Sequence, residues 1–378
     1  MTVNSRPVLH VLGMGSMGAL LAVNLLQTTR TEVIPLFRNT EKLSKFQNEG
    51  KSTISIRKVF LKEAPLVSAK LVRSYSPETF NDDHIENLVI TTKTYQTKEA
   101  IKPYLDFITP ETNIILIQNG LGVLEVLKDE VFVEQSKRPN LFQGVIGHGC
   151  YQDSAYIFNH AGNAGMKIAR LPWDDNMVQH ESVLKQDAVD NSLVKILMEK
   201  DFASIFNTTH MTYQEMLLGQ LQKFLVNSCI NPVTAILDCD NGEMVDYCKD
   251  IFTSIVEEEL NILGLAYRPL FEYEDHYKEQ TGYPNLDVKS TLNTESMVSN
   301  IINLGCVINA KNSSSMRQDT RYLRDSEIEY INGYIVKLAA KLNLNPNEAK
   351  TNRAICQLVN LRLGLNRTRA ATGDWPFK

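Results

Sequence analysis

Three glycines spaced G-x-G-x-x-G (Gly13, Gly15 and Gly18) sit directly after the apolar run 8–12 and directly before a helix-like segment opening at Ser16. A tight turn from strand to helix needs the first glycine. The second lets backbone approach a pyrophosphate, and the third lets helix and strand pack closely. Met14, Ser16 and Met17 complete the turn. Its backbone N–H groups would point at an anion from a helix N-terminus, where the dipole favours negative charge. Between a strand and a helix, the pattern predicts dinucleotide binding.

The second strand of such a unit discriminates between cofactors. A carboxylate near its end would bond a ribose 2′-hydroxyl. Here Arg38 stands there, after Leu36 and Phe37. A guanidinium accepts a 2′-phosphate in bidentate fashion. The expectation is NADP(H), with Asn39, Thr40 and Lys42 completing a phosphate pocket and Glu41 as the one discordant neighbour.

Up to about residue 210, apolar β-branched runs (8–13, 32–37, 88–92, 113–117, 141–146) alternate with amphipathic ones (16–27, 40–48, 97–105, 123–128). That alternation predicts βαβ units and a parallel sheet. Runs 155–160 and 166–169, around Ala-Gly-Asn-Ala-Gly, read as a hairpin or sheet-edge extension, and 171–190 as a polar loop. Segment 191–200 resumes helical periodicity, and 203–206 reads as a last strand. Beyond 208 long helical patterns take over: 213–227, 244–263, 296–304, 327–342 and 347–361. The expected division is residues 1–208, α/β and doubly wound, and residues 209–378, all-α. The acidic cluster 257–259 reads as a solvated helix face.

Composition narrows the partners. With 39 Lys and Arg against 44 Asp and Glu, the net charge of −5 argues against a broad nucleic-acid surface. No apolar run reaches the roughly 18 to 20 residues that cross a bilayer. Six scattered cysteines form no CxxC pair, which suits reduced thiols in the cytoplasm. Cys239, Cys248 and His276 match no common zinc spacing, so no metal is expected.

Two loops follow strands that would end at the ligand-binding edge of the sheet: Thr91 to Gln96, carrying Lys93, and Ile117 to Gly122, carrying Asn119. In the helical half, Lys223, Asn227 and Asn231 recur every fourth residue among apolar neighbours. On one helix they form a stripe about 12 Å long. Pro232 should end or kink that helix and free carbonyls beside the stripe. A second segment runs from Asn312 through Ser315 to Asp319, and Glu327 opens the next amphipathic stretch.

Together these pieces resemble the ketopantoate reductase (2-dehydropantoate 2-reductase) family. The matching stretches are the glycine turn, Lys93-Thr94-Tyr95-Gln96, Gln118-Asn119-Gly120, KFLVNSCINPVTA from Lys223, Asn241-Gly242-Glu243, SSSMRQD from Ser313 and EIEYINGY from Glu327. They span residues 13–334 in the family's order. The resemblance implies an N-terminal Rossmann domain, a helical C-terminal domain and an active site in the cleft between them. It implies that Lys223 and Glu327 are catalytic. Lys93, Asn119, Asn227, Asn231, Asn241 and Ser315 match substrate-contacting positions. Gly13, Met14, Gly15, Ser16, Met17, Gly18, Arg38, Lys93, Asn119 and Glu327 are expected to hold NADP(H). The chain is longer than typical bacterial members, mainly in 171–190 and after 342.

The expected activity is NADPH-dependent reduction of 2-dehydropantoate to (R)-pantoate, in pantothenate and coenzyme A biosynthesis. The alternative is an NADP(H)-dependent reductase of another 2-keto acid, or an opine-type dehydrogenase, of the same architecture. A non-enzymatic NADPH sensor fits less well, because the lysine, glutamate and asparagine set is intact. Expected partners are a small 2-keto acid and a second copy in a homodimer, with no nucleic acid and no membrane.

Overall fold

The computed structural model describes residues 6–174 and 176–377. Its strands are β1 (Val8–Leu12), β2 (Glu32–Leu36), β3 (Thr53–Lys58), β4 (Leu66–Lys70), β5 (Asn87–Ile90), β6 (Asn113–Ile117), β7 (Asn140–Ile146), β8 (Gly149–Ser154), β9 (Ile157–Gly162), β10 (Met166–Arg170) and β11 (Thr208–His210). The helices that accompany them are α1 (Ser16–Thr28), α2 (Thr40–Asn48), α3 (Thr97–Ile101), α4 (Val123–Val126), α5 (Ser182–Asp190), α6 (Ser192–Leu197) and α7 (Lys200–Phe206). Nine more follow: α8 (Tyr213–Leu237), α9 (Lys249–Ala266), α10 (Arg268–Phe271), α11 (Tyr273–Tyr277), α12 (Val288–Thr291), α13 (Thr294–Ile301), α14 (Ser315–Arg321), α15 (Asn332–Lys341) and α16 (Lys350–Ala371). No helix among the described residues is long and apolar enough to cross a membrane.

The chain forms two compact units. One comprises Met1–Gln118 and Val123–Met216, the other Asn119–Gly122 and Leu217–Lys378. In the first unit a seven-stranded sheet has the order β11-β10-β7-β6-β5-β1-β2. Strands β2, β1, β5, β6 and β7 are parallel, β10 runs antiparallel to β7, and β11 parallels β10. The chain leaves β1 toward β2 and returns on the other side at β5, so strand order reverses between β1 and β5. Ligands of open α/β sheets bind beyond the carboxyl ends of strands at such a reversal.

A second sheet, β4-β3-β9-β8, covers α1 on the side away from the first. This explains why residues Gly18 to Leu25 of α1 are all buried. A helix packed on every side must be apolar all round, and the sequence ALLAVNLL from Ala19 is. Its one polar residue, Asn24, donates back to the Leu20 carbonyl at 2.7 Å.

Several sequence expectations need correction here. Strands β9 and β10 are no hairpin with each other: β9 pairs with β3 and β8 in the second sheet, whereas β10 pairs antiparallel with β7 and extends the first sheet toward β11, the sheet-edge alternative. The stretch 203–206 is not a strand. It lies in α7, whose Phe202 and Phe206 are buried one turn apart, and the last strand follows at Thr208–His210. The end of the supposed polar loop 171–190 is α5, which carries Asp187 inward to Arg170.

In the second unit α9 packs against α13, α15 and α16, and α14 against α16. Pro232 does not end α8, which runs on to Leu237. The cluster 257–259 is not a solvated face either. Glu257 is exposed, but Glu258 accepts from the Thr351 and Asn352 N–H groups at the start of α16, and Glu259 is fully buried.

Candidate active-site residues

The glycine turn is fixed by β5. The Thr91 N–H donates to the Leu12 carbonyl at 2.9 Å, and the Thr91 hydroxyl to that of Gly13. Gly13 has φ +105°, and a Cβ on it would stand 2.7 Å from the Thr92 nitrogen. A Cβ on Gly18 would overlap the Gly13 carbonyl oxygen. Both glycines are therefore required by the protein itself. Gly15 is different: it is exposed, has a negative φ of −80° and would meet nothing within 4 Å. Open space there, at the N-cap of a thirteen-residue helix with no side-chain cap and no acid in its first turn, suits an anion approaching backbone N–H groups. Met14 and Met17 pack against the core, so the turn offers an anion mainly its backbone.

Arg38 follows β2, is exposed, and makes no ion pair or side-chain hydrogen bond among the described residues. Its neighbours are already engaged. Asn39 accepts the Lys42 N–H as the cap of α2, and Thr40 donates to Glu78 at 3.1 Å. Glu41, the discordant carboxylate, is paired with Lys45 at 2.8 Å, which offsets its charge. These residues fit a 2′-phosphorylated dinucleotide.

Lys93 lies just beyond β5 as the half-buried cap of a short 3₁₀ turn, Thr94–Gln96. Gln118, at the end of β6, binds the Thr92 carbonyl at 2.7 Å and the Thr97 hydroxyl at 2.6 Å, so it braces the neighbouring loop.

In the second unit Lys223 and Asn227 are half-buried, while Asn231 is buried. Burial pushes the Lys223 ammonium below its ordinary pKa, and the Glu327 carboxylate opposes that shift. The two charges are thus within electrostatic reach of each other. Glu327 is only 5% exposed and caps a short turn, Ile328–Tyr330. That turn holds the loop carrying Asn119: the Leu121 N–H donates to the Tyr330 carbonyl at 3.0 Å. Asn119 itself is exposed.

Asn241 opens the turn after α8, tied down by its own N–H to the Asn312 carbonyl and by the Gly242 N–H to that of Ala310. It is buried, and its side-chain oxygen has no partner among the described residues. A buried acceptor left unmade is costly unless something else satisfies it. Ser315 is the exposed first residue of α14, and its neighbour Ser314 is the cap, 2.7 Å from the Thr234 hydroxyl. That contact draws the start of α14 to the Asn231 turn of α8. Helix α8 thus carries Lys223 within electrostatic reach of Glu327, and two turns further on it carries Asn231, whose carbonyl accepts from the Ser314 cap of α14.

Sequence reasoning missed the supports. Asp238 follows α8 with φ +56° and gathers Arg317, Arg321 and Arg362. Burial works against its charge, but the Arg321 and Arg317 guanidiniums hold its carboxyl below the usual range. The Ser228 hydroxyl donates to Glu259 at 2.7 Å inside the core. Tyr267 and Tyr334 share a 2.7 Å hydroxyl contact. Only Glu259 left a signal: it falls on the apolar row of Phe252, Ile255, Val256 and Ile262.

Comparison with known proteins gives concordant results. Residues 9–173 match the family described as "Ketopantoate reductase PanE/ApbA", and residues 215–362 its C-terminal part. The chain is 57% identical over 376 residues to the 2-dehydropantoate 2-reductase of Saccharomyces cerevisiae, covering 99% of both. A solved dimeric ketopantoate reductase from Staphylococcus aureus shares the fold with a TM-score of 0.62 at 16% identity, over 94% of this chain and 99% of that one. D-mandelate dehydrogenase with NADH and anilino(oxo)acetate does so with a TM-score of 0.68 at 17% identity, over 94% of this chain and 98% of that one.

Proposed function

This chain belongs to the ketopantoate reductase family, and we propose that it reduces 2-dehydropantoate to (R)-pantoate with NADPH. The observation that carries the reading is the half-buried Lys223, its charge opposed by burial and supported by Glu327, on the helix that also bears Asn227 and Asn231.

When bound, the dinucleotide supplies a hydride to the C2 ketone. Gly13 to Gly18 would hold its pyrophosphate, and Arg38 its 2′-phosphate. Lys223, as the ammonium, donates a hydrogen bond to the C2 carbonyl oxygen and delivers its proton as the alkoxide forms. A lysine whose pKa is lowered gives up that proton more readily. Glu327 keeps the ammonium charged at neutral pH and accepts a hydrogen bond from the substrate's C4 hydroxyl. Ser315 and the asparagines at 119, 227, 231 and 241 hold the substrate carboxylate and its polar groups, and Lys93 adds positive charge. Ketone, hydride and proton together give the alcohol.

In this scheme residues 1–208 mainly serve the dinucleotide and residues 209–378 mainly the keto acid, with Lys93 and Asn119 of the first stretch reaching the substrate and Glu327 of the second reaching the cofactor. A cytoplasmic location suits the six free thiols. Pairing into a homodimer suits α16, which exposes Leu358, Leu361 and Leu365 at i, i+3 and i+7, the spacing of a helix–helix seam. Sedimentation velocity tests the pairing: a monomer at micromolar concentration overturns it.

The test of function is NADPH oxidation followed by absorbance with ketopantoate and a panel of other 2-keto acids. Ketopantoate should give the highest kcat/KM. A keto acid without a C4 hydroxyl that outperforms it would assign the chain to another member reaction.

A further inference from the structure

Pro232 sits inside α8, yet the helix continues past it for another turn. Proline has no N–H, and its ring crowds the carbonyl four residues back. In α8 that carbonyl belongs to Ser228. It lies between Asn227 and Asn231, on the helix that bears Lys223. A buried carbonyl deprived of its helical donor is costly unless another group supplies one.

Another group does. The Asn332 side chain, at the start of α15, donates through Nδ2 to the Ser228 carbonyl at 3.0 Å. Its second Nδ2 proton goes to the Asn352 Oδ1 at 2.9 Å. Asn352 is held in turn by Glu258, which accepts from its Nδ2 at 3.1 Å and its backbone N–H at 3.0 Å. Asn332 and Asn352 are both fully buried. The relay thus runs from α9 through α16 and α15 to the proline turn of α8, and both amide protons of Asn332 are committed, which fixes its orientation.

We propose that Asn332 is a positioning residue for the reaction: its amide replaces the N–H that Pro232 lacks and so fixes the path of α8 between Asn227 and Asn231. With that path fixed, Asn231 keeps its place relative to Lys223 and Asn227. Without the amide, the Ser228 carbonyl must turn toward another donor and the helix must bend or fray at the turn that carries the asparagines. The inference rests on the reading of α8 as the carrier of the substrate-holding stripe.

A double-mutant cycle on the full-length protein tests it. N332A should lower kcat/KM for ketopantoate about tenfold. Both kcat and KM should change, while NADPH affinity measured by fluorescence stays within about twofold, because the glycine turn and Arg38, expected to grip that ligand, lie in the first unit. The P232A substitution restores a backbone N–H opposite the Ser228 carbonyl. P232A/N332A should therefore lose less than about threefold relative to P232A alone. Equal losses in the two backgrounds, or no loss in N332A, overturn the proposal. If N332A does not fold, the double variant decides: a folded, active protein supports the proposal, and an unfolded one overturns it. If the wild-type protein leaves ketopantoate unreduced, the functional reading fails, and hydrogen exchange still judges this one. Amides of 226–237 should exchange faster in N332A than in wild type, and P232A/N332A should remove that difference relative to P232A.

Discussion

The Leu121 N–H donates to the Tyr330 carbonyl at 3.0 Å, so the loop with Asn119 is anchored three residues from Glu327. Gly120 makes the anchor possible. Its φ is +81°, and a Cβ there would overlap the Tyr330 carbonyl oxygen. Gly120→Ala should therefore destabilise the protein by roughly 1–3 kcal/mol and lower kcat/KM for ketopantoate. Calorimetry and steady-state kinetics check this; an unchanged Tm would mean that the loop is not held as described.

Lys223→Ala removes the proposed proton donor. It should cost roughly 10²- to 10⁴-fold in kcat. NADPH binding, followed by its fluorescence, should survive. Near-normal turnover would take the proton donor elsewhere.

The alkaline limb of the rate profile should report the same lysine. Burial lowers its pKa and Glu327 raises it. Activity that needs the ammonium falls as pH rises through that pKa, which lies below the ordinary value of 10.5. Glu327→Gln removes the raising influence, so the limb should move to lower pH. A limb that stays in place, measured as kcat/KM against pH, would separate the two residues.

Arg38→Ala should cut kcat/KM for NADPH by roughly ten- to a hundredfold, as expected for the loss of a charge-assisted hydrogen bond, and leave NADH nearly unaffected. Parallel assays with the two cofactors measure it. Equal losses would show that the guanidinium does not read the 2′-phosphate.

Glu259 gives a stability prediction with a definite sign. Burial raises its carboxyl well above the ordinary 4.5, and the Ser228 hydrogen bond only partly offsets this. The folded protein keeps the proton while the unfolded chain releases it above about 4.5, so this group's contribution to stability is lost as pH rises through that window. Glu259→Gln keeps the shape without the acid. Its Tm should match wild type at low pH and exceed it increasingly toward pH 8. A variant less stable at pH 8 would show that the ionised form is the native one.

Much of this was legible from residue order. The glycine turn, the positions of β1, β2, β5, β6 and β7 and the change to helices after 208 follow from periodicity, because each element carries its own repeat. Short apolar runs were ambiguous: Ser-Ile-Phe in α7 fits a strand until the pairing of Phe202 with Phe206 is noticed. Strands β3 and β4 passed unremarked although Ile54 and Ile56 alternate with serine and arginine. That β9 and β10 enter different sheets is a long-range choice of partner, which local pattern does not encode. Glu259 was hidden by its neighbours, since three acids in a row look solvated although the helix turns each to a different side. The catalytic stripe was visible by spacing, whereas its supports were not. Asn332 acts on Ser228 and Asp238 on Arg317, Arg321 and Arg362, all far off in the chain, and nothing in local sequence names such a partner.

The segment beyond Leu342 changes what a minimal version of this protein would be. Asn352 orients Asn332, Arg362 joins the arginines around Asp238 at 3.5 Å, and Asn366 binds the Thr320 carbonyl at 3.0 Å. A chain cut at Leu342 would lose all three contacts at once, so the last helix is part of the scaffold of the second unit and not an appendage to it.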